Sequence, residues 1–313
     1  MTRAFIFPGQ GSQAMGMGKE LASVFPVAKQ LFEEVDEALS QPLTKLMFEG
    51  PEEDLTLTAN TQPALMAVSL AIMRILETAG GLAIGDTAKF VAGHSLGEYS
   101  ALTAAKAFGV ADAARILKIR GSAMQEAVPV GEGTMAALMG VEMDVAEEIA
   151  AEAAQGEICT AANDNAPGQI VLSGATAAIE RAVEIATEKG AKRSIILPVS
   201  APFHCAMMTP VADIMADELA ALLINEPIVP VVANVTADAQ SAPDEIRRLL
   251  VEQVTARVRW RESVLFMKNN GVDTLVEIGA GKVLTGLARR IDRELNSISI
   301  QTPEDIEEFL KTL

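Results

Sequence analysis

The sequence predicts an α/β fold in which a large domain with an open parallel sheet is interrupted by a smaller α+β domain. The 313 residues are 50% hydrophobic and 21% charged, which suffices for a full hydrophobic core. Short apolar strands alternate with longer helical segments towards both ends of the chain, as in a parallel sheet. In the middle of the chain the order changes to β-α-β-β-α-β, the ferredoxin-like split unit.

The first part of the chain opens with an apolar strand at residues 3–7, which ends at Pro8 and leads into a polar, glycine-rich loop. Residues 61–63, Thr-Gln-Pro, open a long apolar helix that reaches residue 76. Its proline falls in the first turn, where the missing N–H does no harm. The other predicted elements here are helices at 21–39, 96–107 and 111–127 and a strand at 89–93.

The smaller domain is predicted at residues 128–199, so the large domain comprises residues 1–127 and 200–313. An Asn-rich loop at residues 163–168 joins the two central strands of the insert. Its predicted strands are 133–141, 157–162, 169–173 and 192–199, with helices at 144–154 and 175–189. The large domain then resumes with helices at 211–223 and 243–254, a helix starting at 261, strands at 229–234 and 274–278, and a basic helix.

Composition excludes several classes of function. Lys and Arg total 25 and Asp and Glu 42, a net charge of −17, so we expect binding neither to nucleic acid nor to membranes. No run of 18 uncharged apolar residues occurs, and the apolar start at residues 4–7 is too short for a secretory signal, so we expect a cytoplasmic protein. Cys159 and Cys205 are too few for a disulfide scaffold or a cysteine-only zinc site. Nothing demands an oligomer, and we expect a monomer.

Residues 93–97, Gly-His-Ser-Leu-Gly, form a G-x-S-x-G motif between an apolar strand and an Ala-rich helix. The glycines permit a sharp turn that projects the Ser95 hydroxyl above the sheet edge. The Leu96 N–H then lies at a helix N-terminus, where free donors and the dipole favour an oxyanion. The motif predicts a nucleophilic Ser95; the alternative is a chance match with a helix-capping serine.

A nucleophilic serine needs a base, and the chain has two histidines. His94 adjoins Ser95 in a tight turn, so their side chains diverge and we expect His94 to support the turn. His204 follows a predicted strand and precedes a helix, and we favour it as the base; without Ser95, a satisfied core or helix-capping histidine would be the better interpretation. No Asp or Glu stands out as its partner, and a backbone carbonyl holding the imidazole would make a Ser–His dyad.

Arg120 lies within an apolar helix face. Residues 113–127 have a period of 3.6 residues, and at 100° per residue Arg120 falls near the middle of their apolar side, whereas Arg115 and Lys118 fall off it. An internal salt bridge is the ordinary explanation. Beside a serine nucleophile we favour a bidentate clamp for a substrate carboxylate, which points to a dicarboxylic acyl group such as malonyl.

Together these motifs resemble those of a known family, the malonyl-CoA:acyl carrier protein transacylases of bacterial fatty-acid synthesis. The resemblance covers essentially the whole chain and implies an α/β-hydrolase-like core with an inserted ferredoxin-like subdomain. The segments that carry it are residues 7–13, 93–99, 120–125, 165–169, 202–204 and 276–279.

The resemblance also implies roles for individual residues. Ser95 would accept the acyl group, His204 would act as general base and acid, and Arg120 would bind the malonyl carboxylate. Gln10 and the Leu96 N–H would form the oxyanion hole. Gln253 would orient the histidine through its backbone carbonyl. The residues expected to line the substrate pocket are Gln62, His94, Asn163, Asn165 and Phe203. The combination of Phe203 with Leu96 resembles that of related acyltransferase domains that select malonyl groups.

The implied reaction is ping-pong transfer of malonyl from malonyl-CoA to the phosphopantetheine thiol of acyl carrier protein, without a metal or redox cofactor. Carrier proteins are acidic, so docking needs a basic patch. The candidates are Lys282, Arg289, Arg290 and Arg293 on a late helix and Lys189, Lys192 and Arg193 in the small domain. Ordinary solvated helix faces explain these charges equally well.

Other functions fit part of the pattern. A serine thioesterase or esterase would share the Ser95 motif, a malonyl transferase of polyketide synthesis would share the whole site, and an inactive carrier-binding module would need no intact site. The loop at residues 9–14 also imitates a dinucleotide-binding fingerprint. The segment after it is helical where that fingerprint requires a second strand, so we exclude the nucleotide.

Overall fold

The computed structural model describes residues 1–199 and 201–313 and contains two sheets. The strands are β1 (Arg3–Phe7), β2 (Ala88–Gly93), β3 (Gly133–Met139), β4 (Cys159–Ala166), β5 (Gln169–Ala175), β6 (Arg193–Ile196), β7 (Val231–Val232), β8 (Ala239–Gln240), β9 (Thr274–Ile278) and β10 (Asn296–Ile300). The helices are α1 (Lys19–Val24), α2 (Pro26–Leu39), α3 (Leu43–Glu49), α4 (Glu52–Thr56), α5 (Thr58–Gly80), α6 (Ile84–Thr87), α7 (Leu96–Ala104), α8 (Val110–Glu126), α9 (Met143–Ala154), α10 (Thr176–Glu188), α11 (Thr209–Ala221), α12 (Pro243–Glu252), α13 (Trp260–Asn269), α14 (Val283–Ile291) and α15 (Pro303–Leu310).

The larger sheet has six strands in the order β10-β9-β1-β2-β7-β8. All neighbours are parallel except β7 and β8, which are antiparallel. The central strand β1 is buried over Ala4–Phe7, as expected when helices cover both faces of a parallel sheet. The carboxyl ends of β1 and β2 lie side by side, with Phe7 opposite Gly93, and so deliver the loops after them to one edge.

The smaller sheet has four antiparallel strands in the order β4-β5-β3-β6. Helices α9 and α10 pack against it around a separate apolar core. This arrangement confirms the predicted ferredoxin-like α+β unit beside a parallel-sheet core. The division into two domains stays a prediction, and Ser200, the first residue of its second large segment, lies outside the described residues.

Helix α5 is the apolar centre of the large part. By length and composition it passes the test for a membrane-spanning helix, but 72% of the qualifying window is buried inside the protein, as in the core helix of a globular fold. It begins at Thr58, earlier than predicted, so Pro63 lies inside the helix. Side-chain bonds hold the extra turn: Thr61 Oγ1 donates to the Leu55 carbonyl at 2.6 Å, and Asn60 Nδ2 donates to the Asp54 carbonyl at 2.9 Å.

Two other expectations need correction. The predicted helix at 21–39 is two helices, because Pro26 occupies the first position of α2 after an extended Phe25. Asn163 and Asn165, predicted in a loop, belong to β4, which pairs with β5 through two register irregularities. The strand is further fixed from the large part, because the Asp164 N–H donates to the Val258 carbonyl at 2.9 Å.

Candidate active site

Ser95 occupies a sharp turn between β2 and α7 with φ 53° and ψ −110°, a conformation that non-glycine residues rarely adopt. The flanking glycines are sterically required. A Cβ on Gly93 would lie 1.9 Å from the Gly97 carbonyl, and one on Gly97 would lie 2.2 Å from the Phe7 carbonyl oxygen. The G-x-S-x-G pattern is therefore dictated by close packing of α7 on the ends of β1 and β2.

The structure brings His204 to Ser95. The Ser95 Oγ lies 2.9 Å from His204 Nε2, and His204 Nδ1 lies 2.8 Å from the backbone carbonyl oxygen of Gln253. A carbonyl accepts only, so Nδ1 carries the proton and Nε2 is left to accept from the serine hydroxyl. Burial, followed by the nearby Arg120 charge, lowers the pKa of His204 to about 3. The imidazole is therefore neutral at neutral pH, in the form a general base requires.

Arg120 reaches the same point from α8 with its side chain 1% exposed. Its NH1 donates to Gln62 Oε1 at 2.8 Å, and its NH2 donates to Gln253 Oε1 at 2.9 Å and to the Ser95 Oγ at 3.2 Å. Among the residues described, no carboxylate forms an ion pair with it. Burial lowers its pKa, yet arginine remains charged in proteins. A buried guanidinium held by neutral acceptors beside a nucleophile is prepared for an anionic ligand.

Close packing of α8 on α5 explains how an arginine reaches this depth. A Cβ on Gly121 would lie 2.5 Å from the Thr58 carbonyl oxygen, so only glycine permits this approach of the two helices. The guanidinium also lies over the Tyr99 ring, 5.5 Å from its centroid.

The predicted oxyanion groups flank the Ser95 hydroxyl. The Leu96 N–H, at the first position of α7, makes no hydrogen bond to any residue the structure describes. Gln10 lines the same cavity, where its Nε2 donates to Thr58 Oγ1 over 3.3 Å. The Ser95 N–H is engaged elsewhere, donating to Asn234 Oδ1 at 2.7 Å.

These side chains surround a cavity of about 160 Å³ between the large part and the small sheet. All the predicted site residues line it except Gln253, which is fully buried beside it and contributes its carbonyl to His204. The lining residues are Gln10, Gln62, His94, Ser95, Leu96, Arg120, Met124, Met135, Asn163, Asn165, Val171, Leu197, Val199, Phe203 and His204. A second cavity, of about 520 Å³, shares only His204 with this lining.

His94 and the two asparagines form one wall. His94 Nε2 lies 2.8 Å from Asn165 Oδ1, and its ring packs against Trp260 at a centroid distance of 5.7 Å. Burial lowers the pKa of His94. Its Nε2 is engaged with Asn165 and not with the Ser95 hydroxyl.

Sequence reasoning missed two buried polar residues beside the site, Glu98 and Asn234. Glu98 lies in the first turn of α7, and Asn234 follows β7 at the carboxyl edge of the large sheet, where ligands of parallel sheets bind. A glutamate within an Ala-rich helix and an asparagine ending an apolar strand are signals that could have found them.

Comparison with known proteins identifies the family of this chain. A family model described as an acyl transferase domain matches residues 4–301. The chain therefore belongs to the acyltransferase family.

Named relatives are similar over nearly their whole length. The malonyl CoA-acyl carrier protein transacylase of Bacillus subtilis is 46% identical over 311 residues, 99% of this chain and 96% of the relative. The structure of an acyl-carrier-protein-S-malonyltransferase from Bartonella henselae is 55% identical, with a TM-score of 0.98 and coverage of 100% and 99% of the two chains. A malonyl-transacylase in complex with a type II PKS acyl-carrier protein is 42% identical, with a TM-score of 0.97 and full coverage of both chains.

Proposed function

We propose that this acyltransferase moves malonyl from malonyl-CoA to the phosphopantetheine thiol of acyl carrier protein in fatty-acid biosynthesis, through a malonyl ester of Ser95. One observation carries the choice of acyl group. The buried Arg120 guanidinium, 3.2 Å from the nucleophile, has no carboxylate partner among the residues described. A substrate carboxylate one methylene from the reacting carbonyl would supply that partner.

In the first half-reaction, His204 Nε2 takes the Ser95 proton as Oγ attacks the thioester carbonyl. The Gln253 carbonyl fixes the imidazole tautomer and stabilises the imidazolium that forms. His204 then returns the proton to the departing CoA thiolate, leaving CoA thiol and malonyl-Ser95. His204 carries the proton from Ser95 to the thiolate and no atom changes its oxidation state, so we propose this step without a metal or redox cofactor.

The tetrahedral intermediate needs donors for its oxyanion. The Leu96 N–H is the backbone donor, since Asn234 occupies the neighbouring Ser95 N–H. The Gln10 amide is the second donor once it turns from Thr58. A donor of this kind typically contributes ~3 kcal/mol to transition-state stabilisation.

In the second half-reaction the phosphopantetheine thiol of the carrier enters, and His204 deprotonates it for attack on malonyl-Ser95. The thioester forms, and the Ser95 oxygen recovers the proton from His204. Transfer rather than hydrolysis requires that water be kept from the ester. Apolar side chains line the cavity beside the dyad, among them Met124, Val199 and Phe203, which supports transfer over a thioesterase.

Carrier recognition is assigned to an exposed basic surface that includes Arg290 and Arg193. Arg290 NH1 donates to Gln169 Oε1 at 3.0 Å. Gln169 is opposite Met139 in the small sheet, and Met139 is opposite Arg193. One arginine from each predicted basic patch therefore lies by the same row of the small sheet, with Gln169 and Met139 between them. We further propose a cytoplasmic monomer that meets its carrier transiently.

Intact-protein mass after mixing with malonyl-CoA tests the function. We expect one malonyl adduct, absent from Ser95→Ala, that discharges onto carrier protein. An adduct that decays to free malonate equally fast without carrier would instead identify a thioesterase. Absence of any adduct at the shortest quench times would overturn both the substrate and the nucleophile.

A further inference from the structure

Glu98 is a buried carboxylate, 2% exposed, that the proposed reaction does not use. One of its oxygens, Oε2, accepts from the Asn234 backbone N–H at 2.9 Å and from Gln253 Nε2 at 2.8 Å. Burial raises the pKa of Glu98 to about 7 against these two donors and the Arg120 charge. A carboxyl group held at this cost in the interior calls for an explanation.

Its first partner, Asn234, holds the nucleophile turn. Asn234 Oδ1 accepts from the Ser95 N–H at 2.7 Å, and Asn234 Nδ2 donates to the Gly93 carbonyl at 2.7 Å. The oxygen and the nitrogen of this amide therefore both form hydrogen bonds with the strained backbone around Ser95. The Glu98 carboxylate fixes the backbone from which that side chain extends.

Its second partner, Gln253, joins the base to the arginine. The Gln253 backbone carbonyl holds His204, and its side-chain Oε1 accepts from Arg120. The amide can present Oε1 to Arg120 only if Nε2 faces acceptors. Glu98 Oε2 is the nearest acceptor, with the Ser95 carbonyl at 3.1 Å. A rotated amide would set its NH₂ against the guanidinium and its oxygen against the carboxylate.

We propose that Glu98 is a positioning residue that, through Gln253 and Asn234, sets the places of Arg120, His204 and Ser95 for reaction. The inference rests on the proposed function for its substrate, but its geometry concerns any acylation of Ser95. Glu98 acts as an acceptor, so the oxygen and its reach matter more than the negative charge.

Three variants separate positioning from stability. Glu98→Gln keeps an acceptor oxygen at the same reach, Glu98→Asp keeps the charge but withdraws it by one methylene, and Glu98→Ala removes both. The matched control is Glu277→Ala, which removes another fully buried carboxylate. Glu277 accepts from the Leu284 and Thr285 N–H groups at the start of α14, away from the cavity lining.

Two reaction rates are measured for each variant, and both are expressed per active site, with the number of active sites determined by titration. A fluorophosphonate probe reports the rate of Ser95 labelling independently of malonyl, and quenched mixing with malonyl-CoA reports the acyl-loading rate and its half-saturating concentration. Thermal unfolding is followed in parallel. We expect Glu98→Asp and Glu98→Ala to slow both reactions by about tenfold or more, since small displacements of reacting groups cost that much. Half-saturation by malonyl-CoA should rise because Arg120 is displaced.

Glu98→Gln should stay within about threefold of wild type, and Glu277→Ala should lower only the unfolding temperature. Wild-type rates per site in Glu98→Asp would overturn the proposal even if Glu98→Ala fails to fold. A loss in Glu98→Gln as large as that in Glu98→Asp would also overturn it, because an acceptor oxygen at the same reach would then not be enough. A wild-type enzyme that is labelled by the fluorophosphonate but not by malonyl-CoA would refute the proposed substrate. The labelling rates of the variants would still test the role of Glu98.

Discussion

Arg120 is held by the side-chain oxygens of Gln62 and Gln253 and by the Ser95 hydroxyl, all of them neutral. Neutral acceptors satisfy the N–H groups of a guanidinium without cancelling its charge. The positive field therefore stays directed at the cavity, where it would attract a carboxylate on the acyl group. An acyl group without a carboxylate gains nothing from it.

Arg120→Ala should lower kcat/KM for malonyl-CoA by about 100-fold or more, because a desolvated bidentate carboxylate contact is lost. Acetyl-CoA loading should fall far less. Arg115→Ala is the matched control, since Arg115 lies on the same helix but is exposed and pairs with the exposed Asp112. Stopped-time acyl-enzyme mass measures both substrates. Equal losses for malonyl and acetyl groups would show that Arg120 serves the dyad and not the carboxylate.

The pKa of His204, lowered to about 3 by burial and Arg120, predicts an acid limb far below that of an ordinary histidine at 6.5. Ser95 labelling should therefore stay constant from about pH 8 to about pH 5. Glu98, with its pKa of about 7, also faces this network, so the profile is taken on Glu98→Gln. A drop in labelling centred near pH 6.5 would contradict a buried neutral base.

The same shift has a consequence for stability. A histidine whose folded pKa lies below its unfolded value stabilises the fold above pH 6.5. That contribution is lost as the pH falls from 6.5 towards 3, because the unfolded chain then binds the proton more readily. Acid unfolding should accordingly be less steep in a His204→Gln variant.

The turn between β2 and α7 depends on how closely α7 approaches β1. A Cβ on Gly97 would lie 2.2 Å from the Phe7 carbonyl oxygen, a backbone atom that cannot rotate away. Gly97→Ala should therefore destabilise the protein by about 1–3 kcal/mol and displace Ser95. Gly286→Ala provides the control, since that exposed position in α14 has open space around it and favours alanine. Urea unfolding and Ser95 labelling measure both variants, and a Gly97→Ala enzyme that labels at the wild-type rate would refute the packing argument.

Strands β1 and β9 agree residue for residue with the sequence prediction, because each is a short, mainly apolar run that ends directly before Pro8 or Gly279. The sequence patterns predict neither β10 nor α15. The alternating Asn-Ser-Ile-Ser-Ile of β10 is half-buried at the sheet edge and lacks such a run. Helix α15 is opened by a Thr302 capping box in which Asp305 takes the place of the usual Glu or Gln.

The candidate site also contains residues that the sequence reveals and residues that it does not. Ser95, His204 and Arg120 carry side-chain signals that are visible locally: a motif, a scarce residue type and a charge on an apolar face. Gln253 acts on His204 through a backbone carbonyl, which leaves no side-chain pattern, and its role came from family resemblance. Asn234 is 139 residues from Ser95, so its role follows from tertiary packing alone.

The net charge of −17 would repel the acidic carrier protein of the proposed reaction, so docking requires a local basic surface. The basic surface proposed for that purpose spans both sheets. Helix α14 contains Arg289 and Arg290, whereas Arg293 lies beyond its end. Lys189 contributes less, because it pairs with Glu148 and Glu152.

Reversing two charges on α14, Arg289→Glu with Arg290→Glu, should raise KM for carrier protein and leave KM for malonyl-CoA unchanged. The effect should shrink at high salt, because exposed charges are screened beyond about 10 Å at 0.1 M. Lys29→Glu with Arg115→Glu makes the same change in net charge on α2 and α8, where both cations are exposed. Steady-state transfer assays with each substrate varied in turn separate the two constants. If the control pair raises the carrier KM as much as the α14 pair, the overall field of the molecule governs the encounter and α14 is not the docking surface.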